Sequence, residues 1–193
     1  MSRDGALDRA VLLPIAALGL FLFMAALALG KPGLPSTLRA DEAAHLLQTS
    51  SLAVDGDLRI DAQDIERLFT AYPYGGPVEV PLRWEDGDDG FTVDRPAAYA
   101  VVAAPWRAVF GVNGPLALNV LLAFCAILSL TAHLKRSGES STTAATVGVA
   151  AVALSALFPY FYWHHPAMLW LALGAAVVAP TRRFATTAAG GAA

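Results

Sequence analysis

Asp41 and Glu42 stand shortly after Gly30, the last residue of a long charge-free apolar run, and His45 follows Asp41 by four positions. A carboxylate at such a point can act as a general base, a metal ligand or a solvated charge. Both acids also suit the positive N-terminus of a helix, where the unpaired backbone N–H groups favour negative charge. Four-residue spacing puts His45 on the same helix face as Asp41, so the pair could share one cation. A second acidic group follows. Asp55, Asp57, Asp61 and Glu66 fall on ligand positions of a twelve-residue calcium loop, but Arg59 replaces an oxygen ligand and Ile60 replaces the glycine of the sharp turn. Arg83, Arg95 and Arg107 could each hold a phosphate through two N–H groups. His164 and His165, next to Pro166, either lie at an interface or face an outer site.

These residues are carried by a membrane-type sequence. The chain has 193 residues, 56% hydrophobic and 15% charged, with mean hydropathy +0.52. Soluble domains carry about 25% charged residues. No basic patch points to nucleic acid, and the single cysteine, Cys125, allows no intrachain disulfide. Residues 10–30 form a 21-residue run without charge, long enough to cross a hydrocarbon core of about 30 Å and longer than a signal-peptide core. Residues 114–134 predict a second span. Residues 142–180 carry no formal charge and predict a third and fourth, broken at "FPYFYWHHP"; the fourth, 166–178, is short and is expected to be tilted, partial or packed inside a bundle. Phe158, Tyr160, Phe161, Tyr162 and Trp163 then form an interfacial belt.

Lysine and arginine near the span ends set the orientation. Arg3, Arg9, Lys135, Arg136, Arg182 and Arg183 fall on one side. Residues 31–113 carry seven basic and thirteen acidic residues. The expectation is a multi-pass protein of the bacterial cytoplasmic membrane, with both termini inside and the acidic segment outside. Its fold class is mainly α, with about four transmembrane helices and a small α/β outer-face domain between the first two.

The expected organisation is a tail and first span (1–30), an extracytoplasmic domain (31–95), an interfacial or re-entrant segment (96–113), spans two to four (114–180) and a cytoplasmic tail (181–193). Within the outer domain, residues 40–54 predict a helix closed by "DGD", with Gly56 as a left-handed cap. Residues 61–72 predict a second helix. Residues 78–84 predict an edge strand, because Pro81 cannot donate to a ladder. "EDGDDG" predicts a turn and "FTV" the returning strand. The apolar segment 95–111 contains Pro105 and Arg107 and should lie at the interface or re-enter, with Tyr99 and Trp106 as anchors.

Taken in order, span one, "ADEAAHLLQTSSLAVDGDL", "DRPAAYAVVAAPWRAVFG", "LNVLLAF…LKR" and "FPYFYWHHPAML" resemble the N-terminal part of bacterial GT-C type integral membrane glycosyltransferases. The resemblance covers roughly residues 10–180. It implies a polyprenyl-phosphate-linked sugar donor, attack at the outer face of the cell envelope, and a first-loop carboxylate as catalytic base or as ligand of a divalent cation. That role falls on Asp41, as base or metal ligand, with Glu42 as second catalytic candidate. His45, Arg95, Tyr72, Tyr74, His164 and His165 are the substrate-binding candidates. The implied partners are the lipid bilayer and the lipid-linked donor. Ala167 stands where the family's later outer turn carries glutamate, and the family has many more spans. The chain is therefore expected to be a fragment, to be complemented by a second membrane chain, or to be an inactive remnant. The competing expectation is a non-catalytic membrane subunit whose outer domain is an interaction module. Solute transport is weaker, because the spans lack acidic and basic residues.

Overall fold

The computed structural model describes residues 8–29, 40–71, 82–84, 91–155 and 158–178. Among them the chain is mainly α-helical. Two helical runs are long and apolar enough to cross a membrane: Arg9–Ala28, and the run Ala98–Arg136. The first is helix α1. The second contains α4 (Ala98–Phe110), a 3-10 turn (Gly111–Asn113) and α5 (Gly114–Arg136).

The described residues divide between two compact units. One holds α1 up to Phe23, α5 from Asn119, α6 (Ser141–Ala153), the 3-10 segment Phe158–Tyr162 up to Phe161, and α7 (Ala167–Val178). Small residues let its helices approach. A Cβ on Gly19 would sit 3.1 Å from the Phe124 ring, and one on Gly148 would sit 2.5 Å from Thr131 Oγ1. Ser140 starts α6 by accepting the Thr143 N–H at 3.1 Å. Helices α6 and α7 have 13 and 12 residues. They rise about 20 and 18 Å, less than the ~30 Å of hydrocarbon. Of the four spans expected from the sequence, those at α1 and α5 lie in runs long enough to cross, α6 is shorter than expected, and α7 is short as expected. Phe161 is buried in this unit rather than placed in an interfacial belt.

The other unit contains the acidic segment. Helix α2 spans Ala40–Val54, α3 spans Ala62–Ala71, and the strands are β1 (Arg59–Ile60), β2 (Leu82–Trp84) and β3 (Phe91–Val93). The sheet order is β1-β3-β2, antiparallel throughout, with Ile60 opposite Phe91 and Leu82 opposite Val93. β2 is an edge strand, as Pro81 predicts. The short strand β1 was not expected. The predicted positions 78–81 and the "EDGDDG" turn lie outside the described residues. Leu46, Leu47, Ile60, Leu68 and Val93 form the core.

Helix α2 ends where Gly56 turns left-handed, at φ 82°. The Ser51 hydroxyl donates to the Arg59 carbonyl at 2.8 Å, with Asp57 carbonyl and carboxylate oxygens as further acceptors at 3.0 and 3.1 Å. This ties the end of α2 to β1. Asp61 Oδ1 accepts the N–H groups of Gln63 and Asp64 and starts α3. Helix α4 packs against α2. Its Tyr99 is 1% exposed. It belongs to the core, not to a membrane interface, and its hydroxyl donates to the Pro115 carbonyl at 3.5 Å.

Candidate functional site

Residues 43–51 of α2 are buried on every side, including His45, Gln48, Thr49, Ser50 and Ser51. A helix that buries this much polarity needs partners for it. Thr49 Oγ1 donates back to the His45 carbonyl at 2.6 Å. Ser50 Oγ accepts from Arg107 Nε of α4 at 3.2 Å. Gln48 Nε2 donates to the Arg95 carbonyl at 2.9 Å.

Arg95 follows β3 and turns back at once, its N–H meeting the Val93 carbonyl at 2.8 Å. The guanidinium then reaches the first turn of α2. Nε and Nη2 both donate to Asp41 Oδ1, at 2.9 and 2.7 Å. This ion pair is half-exposed, so its electrostatic contribution to stability is small, about 0–1 kcal/mol. Glu42 points elsewhere. Its Oε1 accepts the backbone N–H of His164 at 3.3 Å. Both acids stay in the first turn, as their helix-start role requires, and both also make long-range contacts.

Three imidazoles gather behind these acids. The His45 ring stands edge-on to Tyr99, centroids 5.7 Å apart, and to His165, 5.9 Å apart. His45 and His164 are buried, and His165 is partly so. Burial pushes His45 down to about 4, helped by His165 and opposed chiefly by Asp41. Burial, with the Arg107 charge, pushes His164 down to about 3. Burial lowers His165 against the pull of Asp41. All three rings are therefore neutral at neutral pH. His45 Nδ1 and Gln48 Oε1 are buried, and the two side chains interact with each other, although neither atom reaches full hydrogen-bond geometry with any partner among the described residues.

The expected residues thus converge in part. Asp41, Glu42, His45, Arg95, His164 and His165 come together in one unit, from three separate stretches of chain. Tyr72 and Tyr74 lie outside the described residues. Gln48 was missed, Tyr99 was assigned to a membrane interface, and Arg107, a candidate phosphate ligand, donates to Ser50. Residues 99, 100, 103 and 104 are buried together on one face of α4, a phase that could have placed Tyr99 inside. His164 and His165 occupy this cluster rather than a solvated interface.

The calcium positions do not converge. Asp55 pairs with Arg67, Asp57 binds the Arg59 N–H and Asp61 caps α3. Among the described residues, no group of three or more His, Cys, Asp or Glu could hold a metal ion. A divalent cation at Asp41 fits poorly for the same reason: the Arg95 guanidinium already occupies its Oδ1. What the cluster offers is a carboxylate steadied by a guanidinium, a second carboxylate steadied by a backbone N–H, and imidazoles that burial holds neutral.

No protein-family model, no curated protein and no solved structure matches this chain.

Proposed function

We propose that this chain is a multi-pass protein of a bacterial cytoplasmic membrane that resembles a GT-C glycosyltransferase unit. In this reading the α/β unit lies on the outer face, both termini lie inside, and the substrate is a sugar on a lipid phosphate. Helices α1 and α5 cross the bilayer. Helices α6 and α7 return the chain to the inner side as a shorter pair. A second membrane chain supplies the remaining spans.

The observation that carries this reading is the meeting of Asp41, Glu42 and Arg95 with three neutral histidines, in a chain that also carries helical runs suited to lipid. In the transfer step, the acceptor oxygen bonds to the anomeric carbon as the carbon–oxygen bond to phosphate breaks. The acceptor proton passes to Asp41, and the departing phosphate keeps the electron pair. Arg95, which holds Asp41 in place, is charged and partly exposed, and so can also meet the phosphate. Membranes holding this chain and its partner should transfer label from lipid-linked sugars. Asp41→Asn should reduce that transfer by about 10²–10⁴, the usual cost of losing a general base. Full activity of Asp41→Asn would remove Asp41 from the chemistry.

The alternative is a non-catalytic subunit, and one observation favours it. Both acids already serve as ties, Asp41 to Arg95 and Glu42 to the His164 backbone. In that case no assembly containing this chain transfers sugar, and Asp41→Asn changes stability by at most about 1 kcal/mol.

A further inference from the structure

Helix α4 has two unlike faces. Tyr99, Ala100, Ala103 and Ala104 are buried. Ala98, Val101, Val102, Pro105, Ala108 and Val109 are exposed and recur at helical spacing, covering an arc of about 120°. No polar side chain stands in that arc. Val101 is 58% and Val109 73% exposed. The single charge of α4, Arg107, donates instead to Ser50.

The chain after α4 says what covers this stripe. Gly111 adopts φ 68°, and a Cβ on Gly114 would collide with the Trp106 carbonyl. In a straight helix eight residues rise about 12 Å, so this contact requires a sharp fold between α4 and α5. Helix α5 has 23 residues, about 34 Å, which matches the thickness of the hydrocarbon. With α5 crossing as proposed above, on which this inference rests, its first residue, Gly114, stands at one edge of the bilayer. α4, three residues upstream and about 20 Å long, is bent away from the path of α5 and is too short to cross. Pro105 also has no N–H to give the Val101 carbonyl. Headgroup-level water can solvate that group, whereas hydrocarbon cannot.

We propose that α4 lies in the plane of the bilayer surface, with the Ala98–Val101–Val102–Pro105–Ala108–Val109 stripe sunk into the acyl–headgroup boundary. Its opposite face covers the buried polar row of α2, so one helix separates lipid from His45 and Ser50. This inference does not depend on the chemistry proposed above, and it stands or falls without any sugar transfer.

The test uses the full chain with Cys125→Ala, reconstituted in phosphatidylcholine–phosphatidylglycerol vesicles. Nitroxides are placed at Ala98→Cys, Val101→Cys, Val102→Cys, Ala108→Cys and Val109→Cys, with Asp57→Cys as the aqueous reference. Collision rates with oxygen and with a nickel chelate give the depth of each label. The expected result is one common depth, about 5–10 Å below the headgroups, at all five positions. A depth that changes steadily by about 16 Å from Ala98 to Val109 would mean a re-entrant helix and overturn the proposal. Nickel access equal to that at Asp57 would mean water. Exclusion of both reagents would mean a protein partner. Either outcome also overturns it. Diazirine-acyl lipids in vesicles of the unlabelled chain give a second measurement, independent of any cysteine variant. They should cross-link within residues 98–109, and absence of cross-links there would overturn the proposal.

Discussion

His45 shows how one side chain can tie this fold to pH. Its ring is neutral in the fold, with its pKa lowered from 6.5 to about 4 by burial and by His165. In the unfolded chain it protonates near 6.5. A depressed folded pKa means its contribution to stability is complete above about pH 6.5 and is lost as pH falls toward 4. Each such imidazole adds a slope of up to about 1.4 kcal/mol per pH unit within its window. Asp41, Glu42, His165 and Arg95 face the same cluster, so the total slope is shared. Chemical denaturation between pH 7 and 4.5 should show His45→Gln losing stability less steeply than the parent, by about one proton. Equal slopes would mean that His45 is already charged or already exposed. The Asp41–Arg95 pair behaves differently. Half-exposed on both sides, it should matter little for stability, so any large effect of Asp41→Asn belongs to chemistry.

Among the elements, the joint between α4 and α5 is the tightest described. Gly114→Ala forces a methyl group into the Trp106 carbonyl and should destabilise the chain by about 1–3 kcal/mol, the usual cost of overpacking. Gly174→Ala, which meets open space in α7, should be neutral or stabilising by up to about 1 kcal/mol. Thermal unfolding in detergent distinguishes the two. If both substitutions are equally mild, the chain does not fold back at Gly114. The sequence made some of these elements legible. First-turn acids and the Asp55–Gly56–Asp57 turn delimited α2 at the residues now seen, because caps are local signals. β1 was hidden because two residues cannot show a period. Tyr99 was assigned to an interface by its chemistry, although the phase of α4 turns it inward. The short fourth span was legible, since Pro166 marks its start and the expected 166–178 matches α7, whereas the length of α6 could not be read from a stretch without charges to mark where lipid ends. The meeting of His45 with His164 and His165 could not be read at all, since nothing local links positions so far apart in the chain.

For the whole molecule, the proposed orientation puts the acidic segment outside and Lys135 and Arg136 inside. In intact cells, with Cys125→Ala as background, an impermeant thiol reagent should label Asp57→Cys and leave Ser137→Cys unlabelled. The reverse pattern would invert the topology. The Glu42–His164 contact sets a further condition on the whole chain, in the order of its synthesis. The two residues are 122 positions apart, yet residues 162–166 belong to the same compact unit as α2. At ~5–20 residues per second, a ribosome delivers His164 roughly 6–25 s after Glu42. During that interval the head of α2 has emerged without the segment that closes over it. Its buried imidazole and amide are then open to water, chaperones or proteases. The cluster is thus completed well after its acids have been made, although they follow α1 closely in the chain.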